Sequence, residues 1–500
     1  MQSKALATPH SLNKSVGNGV RQDSICELES RARALELTGP QWEELASKVL
    51  AYAWAHVSTV RDQPAYNAKP GNGINLLSSP IAEHGISIDD ALDLLHDNVD
   101  TVSLNPGSPR FLGYIPAGGL VHSAFGDFLA AIANRYAGIF FGSPGAVRME
   151  NLLVRWMAEV AGFPANSGGF LSAGGSTANL SAIVTAREAC HVLADDATKV
   201  VVYVTEHTHH CVDKGLRIAG LGHCRQHRIA VDDRARMCPE NLDTRIRKDR
   251  EAGLRPWLLV ASAGTTNTGT VDPLRSLNEV ARAHNLWYHI DGAYGAFFAL
   301  CPEGEAVLDG MGLADSLVLD PHKTLFLPYG TGALLVRDRE LMARAHGGMG
   351  AYMLDMETDP TEPSPAYLSP ELTKHFRGLR MWLPLKLLGL APFRAALSEK
   401  IHLARYFHSQ IQQIRGFEVG PTPDLSIVTY RYVPSHGDAD AFNRRMVKEL
   451  QRDGRVFITS TRVGGRTVLR MAVGCFRTHR EDIDLALNLL EDKARRLENK

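Results

Sequence analysis

The chain has 500 residues, 44% of them apolar and 22% charged, with 54 Lys and Arg against 55 Asp and Glu. That length suits two or three units around a large core, and the balanced charge gives no electrostatic reason to expect nucleic acid or an anionic membrane surface as a partner. Seven cysteines without a CxxC pair speak against a zinc ribbon or a dithiol redox motif and fit reduced thiols in a cytoplasmic protein. Residues 1–20 are polar and carry no apolar signal core, and no apolar stretch reaches the ~20 residues of a membrane span.

Residues 1 to about 35 read as a loose leader. Trp42, Leu45, Val49 and Ala53 then fall at helical spacing. The segment 62–79, rich in Pro, Gly and Asn, reads as an extended arm, and a helix is predicted over 89–99. Beyond about residue 101 helices alternate with short apolar runs. A helix over 146–162 carries Met149, Leu152, Leu153, Trp156, Met157 and Val160 on one stripe. Strands are predicted at 199–205, 257–261, 286–290, 316–319 and 332–336. These runs are apolar on both faces, as in a sheet covered by helices on each side, and the alternation argues for a mostly parallel α/β sheet. After Trp382 a long helix leads to strands at 425–433 and 468–473 and a closing amphipathic helix over 482–497. The expected division is a leader and helical arm (1–100), a large α/β domain (101–385) and a smaller C-terminal α+β domain (386–500).

Three blocks carry chemistry. In Ser316-Leu-Val-Leu-Asp-Pro-His-Lys323 a strand ends, a proline interrupts it and a lysine sits on the following loop. Ligands of α/β sheets bind at such strand ends. A desolvated lysine there can lose its proton and form an imine with a carbonyl; the plain alternative is a surface lysine. In Leu286-Trp-Tyr-His-Ile-Asp-Gly-Ala-Tyr-Gly295 a strand ends in Asp291. A buried acid at that place needs a cation, such as a protonated pyridine nitrogen, and the alternative is a turn or N-cap aspartate. In Gly168-Gly-Phe-Leu-Ser-Ala-Gly-Gly-Ser-Thr-Ala-Asn179 glycines precede a helical pattern. The first-turn N–H groups and the Ser176 hydroxyl suit a phosphate. The block is neither a Walker loop nor GxGxxG, so ATP and NAD are not favoured. Phosphate cradle, acid and lysine together match one flat cofactor with three handles. His207, His209 and His210 lack an HExxH frame, and no metal is expected.

With these blocks the sequence resembles the group II pyridoxal-phosphate-dependent amino-acid decarboxylases, which include the aromatic amino-acid and glutamate decarboxylases. Asp320-Pro-His-Lys323 is similar to that family's Asn-Pro-His-Lys, and His289-Ile-Asp-Gly-Ala-Tyr294 to its His-Val-Asp-Ala-Ala-Tyr. Weaker similarity runs through 109–116, 143–164 and Phe376-Arg-Gly-Leu-Arg-Met-Trp382. The resemblance implies the type I, aspartate aminotransferase-like fold, a homodimer with sites at its interface, and pyridoxal 5'-phosphate as cofactor. It implies Lys323 as the imine lysine, Asp291 as partner of the ring nitrogen and Ala293 against the ring. Gly175, Ser176 and His322 would lie at the phosphate, Thr266 near the polar edge of the ring, and a histidine stacked on the opposite face: His209 by alignment, with His207 and His210 as neighbouring registers. The implied reaction is decarboxylation of an L-amino acid to an amine and CO2. Other reactions on the same fold stay open: carbon–carbon lysis, aldehyde-forming oxidative decarboxylation, or transamination.

Two departures stand out. Asp320 replaces the family's asparagine, and a second anion near a phosphate is unfavourable unless it turns away or meets a cation. The region 347–374, where decarboxylases of the family bring a tyrosine to protonate the carbanion, aligns poorly; Tyr367 is the candidate loop acid, with Tyr352 second. Ala117, His122, Phe140 and Phe141 fall in segments that line the substrate pocket in relatives, which suggests an apolar or aromatic side chain. Arg470 would reach a substrate carboxylate or brace the small domain, and bracing is the preferred reading.

Overall fold

In the computed structural model the described residues are 22–68, 73–115, 117–348, 359 and 361–499. The N-terminal part is helical: α1 (Gln22–Ala32), α2 (Gly39–Thr59) and α3 (Ile88–Leu95) flank a short antiparallel ribbon of β1 (Tyr66–Asn67) and β2 (Ser103–Leu104). The leader expected to be loose is therefore helical over 22–35, where Arg33 pairs with Glu29 one turn earlier; its first 21 residues lie outside the described residues. The start of α2 is capped where Thr38 N–H donates to Gln41 Oε1, with Pro40 in the first turn.

After α4 (Val121–Ala133) and α5 (Pro144–Ala161), the apolar runs pair into the central sheet. Its strands are β3 (Gly168–Ser172), β4 (Val200–Val204), β5 (Arg225–Arg228), β6 (Arg255–Ser262), β7 (Trp287–Asp291), β8 (Ser316–Leu319) and β9 (Gly332–Val336). They stand in the order β3-β9-β8-β7-β6-β4-β5, and only β9 runs antiparallel to its neighbours. Every residue of β3, β4, β7, β8 and β9 is buried. One face packs with Tyr203, Leu259, Ile290 and Leu317, the other with Val202, Trp257, Val260 and Val318, as the two-sided apolar runs require. The connections are α6 (Gly175–Ala189), α7 (Cys211–Ile218), α8 (Pro239–Glu251), α9 (Leu274–Ala283), α10 (Pro302–Val307), α11 (Pro321–Thr324) and α12 (Arg339–His346). Two strands of this sheet escaped the sequence pattern. β5 is the polar run Arg-Gln-His-Arg on a sheet edge, and β3 is hidden in the glycine block.

Past α13 (Arg377–Leu388) and α14 (Ala391–Ile411), a second core forms on an antiparallel sheet. It contains β10 (Phe417–Val419), β11 (Ile427–Tyr432), β12 (Thr459–Val463) and β13 (Arg466–Ala472), in the order β10-β11-β13-β12, backed by α15 (Ala439–Asp453) and α16 (Arg480–Glu498). The expected fold, a mostly parallel α/β sheet with a smaller C-terminal α+β unit, is the one found. The two sheets are joined near Tyr294, which follows β7: its hydroxyl lies 2.7 Å from Ser426 Oγ and accepts from Ser426 N–H. No helix among the described residues is long and apolar enough to cross a membrane.

Candidate active site

The carboxyl ends of β6, β7 and β8, the start of α6 and the turn before α7 surround a cavity of about 280 Å3. Parallel strands deliver their last residues to one edge of the sheet, which is why segments far apart in sequence meet there. Gly175, Ser176, His209, Thr266, Asp291, Ala293, His322 and Lys323, all named from the sequence, line it together. His207 and Cys211 line it as well, whereas His210 is exposed and outside.

Asp291 closes β7. Its Oδ1 accepts a hydrogen bond from Ala293 N–H, and among the described residues it forms no ion pair. A carboxylate only 9% exposed without a cation of its own suits a cationic ring nitrogen entering the cavity. The start of α6 supplies the opposite chemistry. Thr177 and Ala178 N–H donate to Gly174 O, leaving the N–H groups of Gly175 and Ser176 free of helix partners. A Cβ on Gly174 would stand 3.0 Å from His322 Cε1, so glycine lets that ring close on the turn. His322 Nδ1 accepts from Thr331 N–H, which leaves its proton on Nε2, facing Asp320 Oδ2 at 3.6 Å. Unpaired N–H groups at a helix start beside a hydroxyl and an imidazole fit a phosphate.

Lys323 Nζ lies 2.8 Å from Asp320 Oδ2. Burial alone would lower its pKa, but the charge and hydrogen bond of Asp320 and the charge of Asp291 outweigh burial and hold the amine above its ordinary value. The anion that looked misplaced beside a phosphate thus meets a cation. Burial pushes His209 down, against the charge of Asp291, so its ring is neutral near pH 7. Cys211 N–H donates to its Nδ1. A flat ring can pack on a neutral imidazole at no desolvation cost of charge. Burial also lowers His207, and neither of its ring nitrogens has a hydrogen-bond partner. Thr266 sits in a turn held by the small domain: Arg470 donates to Thr266 O at 2.8 Å and to Thr459 Oγ1 at 3.2 Å. Arg470 braces that turn, and burial lowers it to about 10.

A relay behind the cavity was not visible in the sequence. Trp287 Nε1–H donates to Ser316 Oγ, and Ser316 lies 2.8 Å from His289 Nδ1. His289 Nε2 lies 2.9 Å from Asn179 Oδ1, and the Asn179 amide donates to Gly175 O. Asn179 Oδ1 can only accept, so Nε2 carries the proton and the Ser316 hydroxyl donates to Nδ1. The relay ties β7, β8 and α6 in one register. Its only sequence signal was the His289 position two residues before Asp291.

Other expectations do not meet at the cavity. Tyr367 does not line the cavity of its own chain: its ring packs near Ile139, Tyr136 and Leu372, and its hydroxyl is buried without a partner. It is held there because Ala366 N–H donates to Gly138 O, which fixes the turn before it. Tyr352 lies outside the described residues. Ala117, His122, Phe140 and Phe141 do not line the cavity either.

Residues 70–433 match the family model described as the pyridoxal-dependent decarboxylase conserved domain. An aromatic-L-amino-acid decarboxylase of Bacillus atrophaeus is 32% identical over 90% of this chain and 94% of its own length. A phenylacetaldehyde synthase of Arabidopsis thaliana is 27% identical over 91% of this chain and 96% of its own. Among solved structures, that of Oryza sativa TDC with PLP and tryptamine superposes with a TM-score of 0.87 at 24% identity, covering 93% of this chain and 99% of that one.

Proposed function

Because the chain belongs to the pyridoxal-dependent decarboxylase family, we propose that Lys323 is the residue its cofactor is joined to, that Asp291 keeps the ring nitrogen protonated, and that the start of α6 holds the phosphate. The protein is a pyridoxal-phosphate-dependent carboxy-lyase acting on an L-amino acid. Bound pyridoxal phosphate supplies an aldehyde carbon that engages the substrate amino group and a ring that draws in the electron pair left when CO2 departs. Asp291 does its part by holding a proton on the ring nitrogen. Gly175 and Ser176 N–H, the Ser176 hydroxyl and His322 fix the phosphate end, so the ring cannot turn. Ala293 and the neutral His209 would pack on its two faces, and Thr266 would meet its polar edge. Orientation decides the reaction, because only the bond held perpendicular to the ring is broken. The observation that carries this assignment is the single cavity shared by the Lys323 amine, the Asp291 carboxylate and the free N–H groups of α6. Lys323→Ala protein should lose both the visible absorbance of bound cofactor and turnover; retention of both would refute the assignment.

The reading extends to a cytoplasmic homodimer acting on an amino acid with an aromatic or apolar side chain. A second copy is favoured by apolar surface left uncovered on one chain: Trp54 of α2, Phe125, Phe128 and Ile132 of α4, and Phe141 are all 47% exposed or more. A substrate pocket completed by Phe140 and Phe141 of a second copy would explain why they miss the cavity of their own chain. The seven cysteines are unpaired, as reduced thiols in the cytoplasm would be. A loop tyrosine would deliver the proton to the substrate Cα. Tyr352 is preferred to Tyr367, because Tyr367 is packed away from the cavity. Formation of an aldehyde is the second reading, favoured by that displaced tyrosine and by the similarity to a phenylacetaldehyde synthase. Incubation with aromatic amino acids separates the two: CO2 with amine alone, or CO2 with aldehyde, ammonia and hydrogen peroxide and oxygen consumed.

A further inference from the structure

Asp320 directly follows β8, and its residue is 1% exposed. Its two oxygens have different surroundings. Oδ2 lies 2.8 Å from Lys323 Nζ and 3.6 Å from His322 Nε2, whereas Oδ1 has no hydrogen-bond partner. Two glycines make the room. A Cβ at Gly175 would stand 2.8 Å from Oδ2, and one at Gly332 would stand 2.6 Å from Oδ1. Both are closer than a methyl and a carboxylate tolerate, so α6 and β9 are each shaped around this acid. A buried carboxylate is costly without a cation. Lys323 is the cation in contact with it, since burial keeps the His322 ring neutral near pH 7.

We propose that Asp320 is a parking site for the Lys323 amine: it holds the ammonium whenever Nζ is not bonded to cofactor, and so sets the pH at which Nζ becomes free to attach. The inference rests on Lys323 being the attachment residue and goes one step beyond it. Attachment forms a carbon–nitrogen double bond between Nζ and the aldehyde carbon. The aldehyde oxygen leaves as water, taking the two protons of the neutral amine. An ammonium cannot do this until its third proton has gone to solvent, and the ion pair with Asp320 opposes that loss. When a substrate amino group displaces Nζ, the freed amine takes up a proton and returns to Oδ2, clear of the reacting carbon.

Other groups face Lys323 and must be weighed. On its own turn these are Asp320 and His322; from β7 comes Asp291, from the turn into α7 His209 and Cys211, and from the loop before β9 Tyr329. Burial lowers both imidazoles and raises the Cys211 thiol, so all three are neutral near pH 7, and a phenol is neutral there too. Asp291 is the remaining anion, but it does not touch Nζ at ion-pair distance.

The test follows cofactor capture by cofactor-free protein, using the visible absorbance that develops at saturating pyridoxal phosphate from about pH 7 to about pH 12, so that a midpoint above the ordinary lysine value is reached. The limiting rate of the natural protein should rise about tenfold per pH unit until the free amine predominates. Asp320→Asn, the same size without the charge, should move the midpoint down by about one pH unit or more and speed capture at pH 7 by about tenfold. Equal midpoints would overturn the parking role while leaving Lys323 as the attachment residue; no absorbance at any pH in the natural protein would overturn both. A second measurement needs no variant. Acetylation of Lys323 by limiting acetic anhydride in cofactor-free protein, read by mass spectrometry, should show a midpoint above that of exposed lysines. A midpoint at or below theirs would also overturn the proposal.

Discussion

Lys374→Met would open the outer edge of the central sheet. β3 is the edge strand, so the N–H and C=O of Leu171 that point away from β9 have no neighbouring strand. Glu150 of α5 and Lys374 take that place: Leu171 N–H donates to Glu150 Oε1 at 2.9 Å, and Lys374 Nζ donates to Leu171 O at 3.0 Å. The two side chains pair with each other at 2.6 Å and are 1% and 0% exposed. Removing the ammonium leaves Glu150 buried with no cation, a loss of about 3–5 kcal/mol. Adding Glu150→Gln removes that charge but keeps an acceptor for Leu171 N–H. Leu171 O then loses its ammonium donor, and the new amide N–H takes the place of the unpartnered Glu150 Oε2; unpaired neutral groups cost about 1–3 kcal/mol, less than the buried charge, so the second substitution should restore up to roughly 2 kcal/mol. A chain of two units need not unfold in one step, so the assay is hydrogen exchange of the peptide covering 168–172 in cofactor-free protein. The single variant should exchange faster by about two to three and a half powers of ten, and the double variant should be slower than the single. Equal exchange in the two variants would refute uncompensated charge as the cause. β3 runs directly into the glycine turn before α6, which we propose holds the cofactor phosphate, so the single variant should also retain cofactor less well.

Three further outcomes follow from the site. Burial lowers His289 from its ordinary 6.5 to about 4, worth on the order of 3 kcal/mol. The folded state binds fewer protons than the unfolded, so this contribution is complete above pH 6.5 and is lost as pH falls toward 4; His289→Asn should flatten the thermal midpoint against pH across that window. Tyr352→Phe should shift products from amine toward aldehyde, whereas Tyr367→Phe, which removes a hydroxyl without a partner, should leave both products and stability nearly unchanged; the reverse pattern would reassign the loop acid. Burial raises the Cys211 thiol while Cys26 is exposed, so iodoacetamide should label Cys26 first and Cys211 only after unfolding, as peptide mapping would show.

What the sequence disclosed depends on how local each signal is. Asp291 and Lys323 were legible because each ends an apolar run at a turn, and a parallel sheet must bring such ends to one edge. The strands at 316–319 and 332–336 were legible in full, since all their residues are buried and only Ser316 interrupts their apolar run. β5 was not, because an edge strand with four polar residues has no pattern to read. Of the three neighbouring histidines, the sequence could not set the register; the structure removes His210 from the cavity and leaves His207 and His209 on it. The Glu150–Lys374 pair joins positions 224 residues apart, and no spacing rule reaches that far. Asp320 was legible as an oddity but not as a partner, since the three-residue step to Lys323 becomes a contact only once Pro321 starts the short turn of α11.

The groups that act are kept free because the groups behind them are not. Asn179, His289 and Ser316 satisfy one another and fix Gly175 from the far side, so its N–H remains available to an anion. Arg380 donates through Nε and Nη2 to the two oxygens of Asp127, and through Nη1 to Tyr329 O and Thr331 Oγ1. Thr331 in turn donates to His322 Nδ1, which aims the Nε2 proton into the cavity. A network that is fully satisfied is rigid, and a rigid frame can hold an unpaired carboxylate and unpaired N–H groups that would otherwise collapse onto each other. Cutting a tether should therefore reduce cofactor affinity without changing the identity of the product, whereas moving a loop tyrosine should change the product without changing affinity. Separating these two effects in the same set of variants would distinguish the frame from the chemistry it holds.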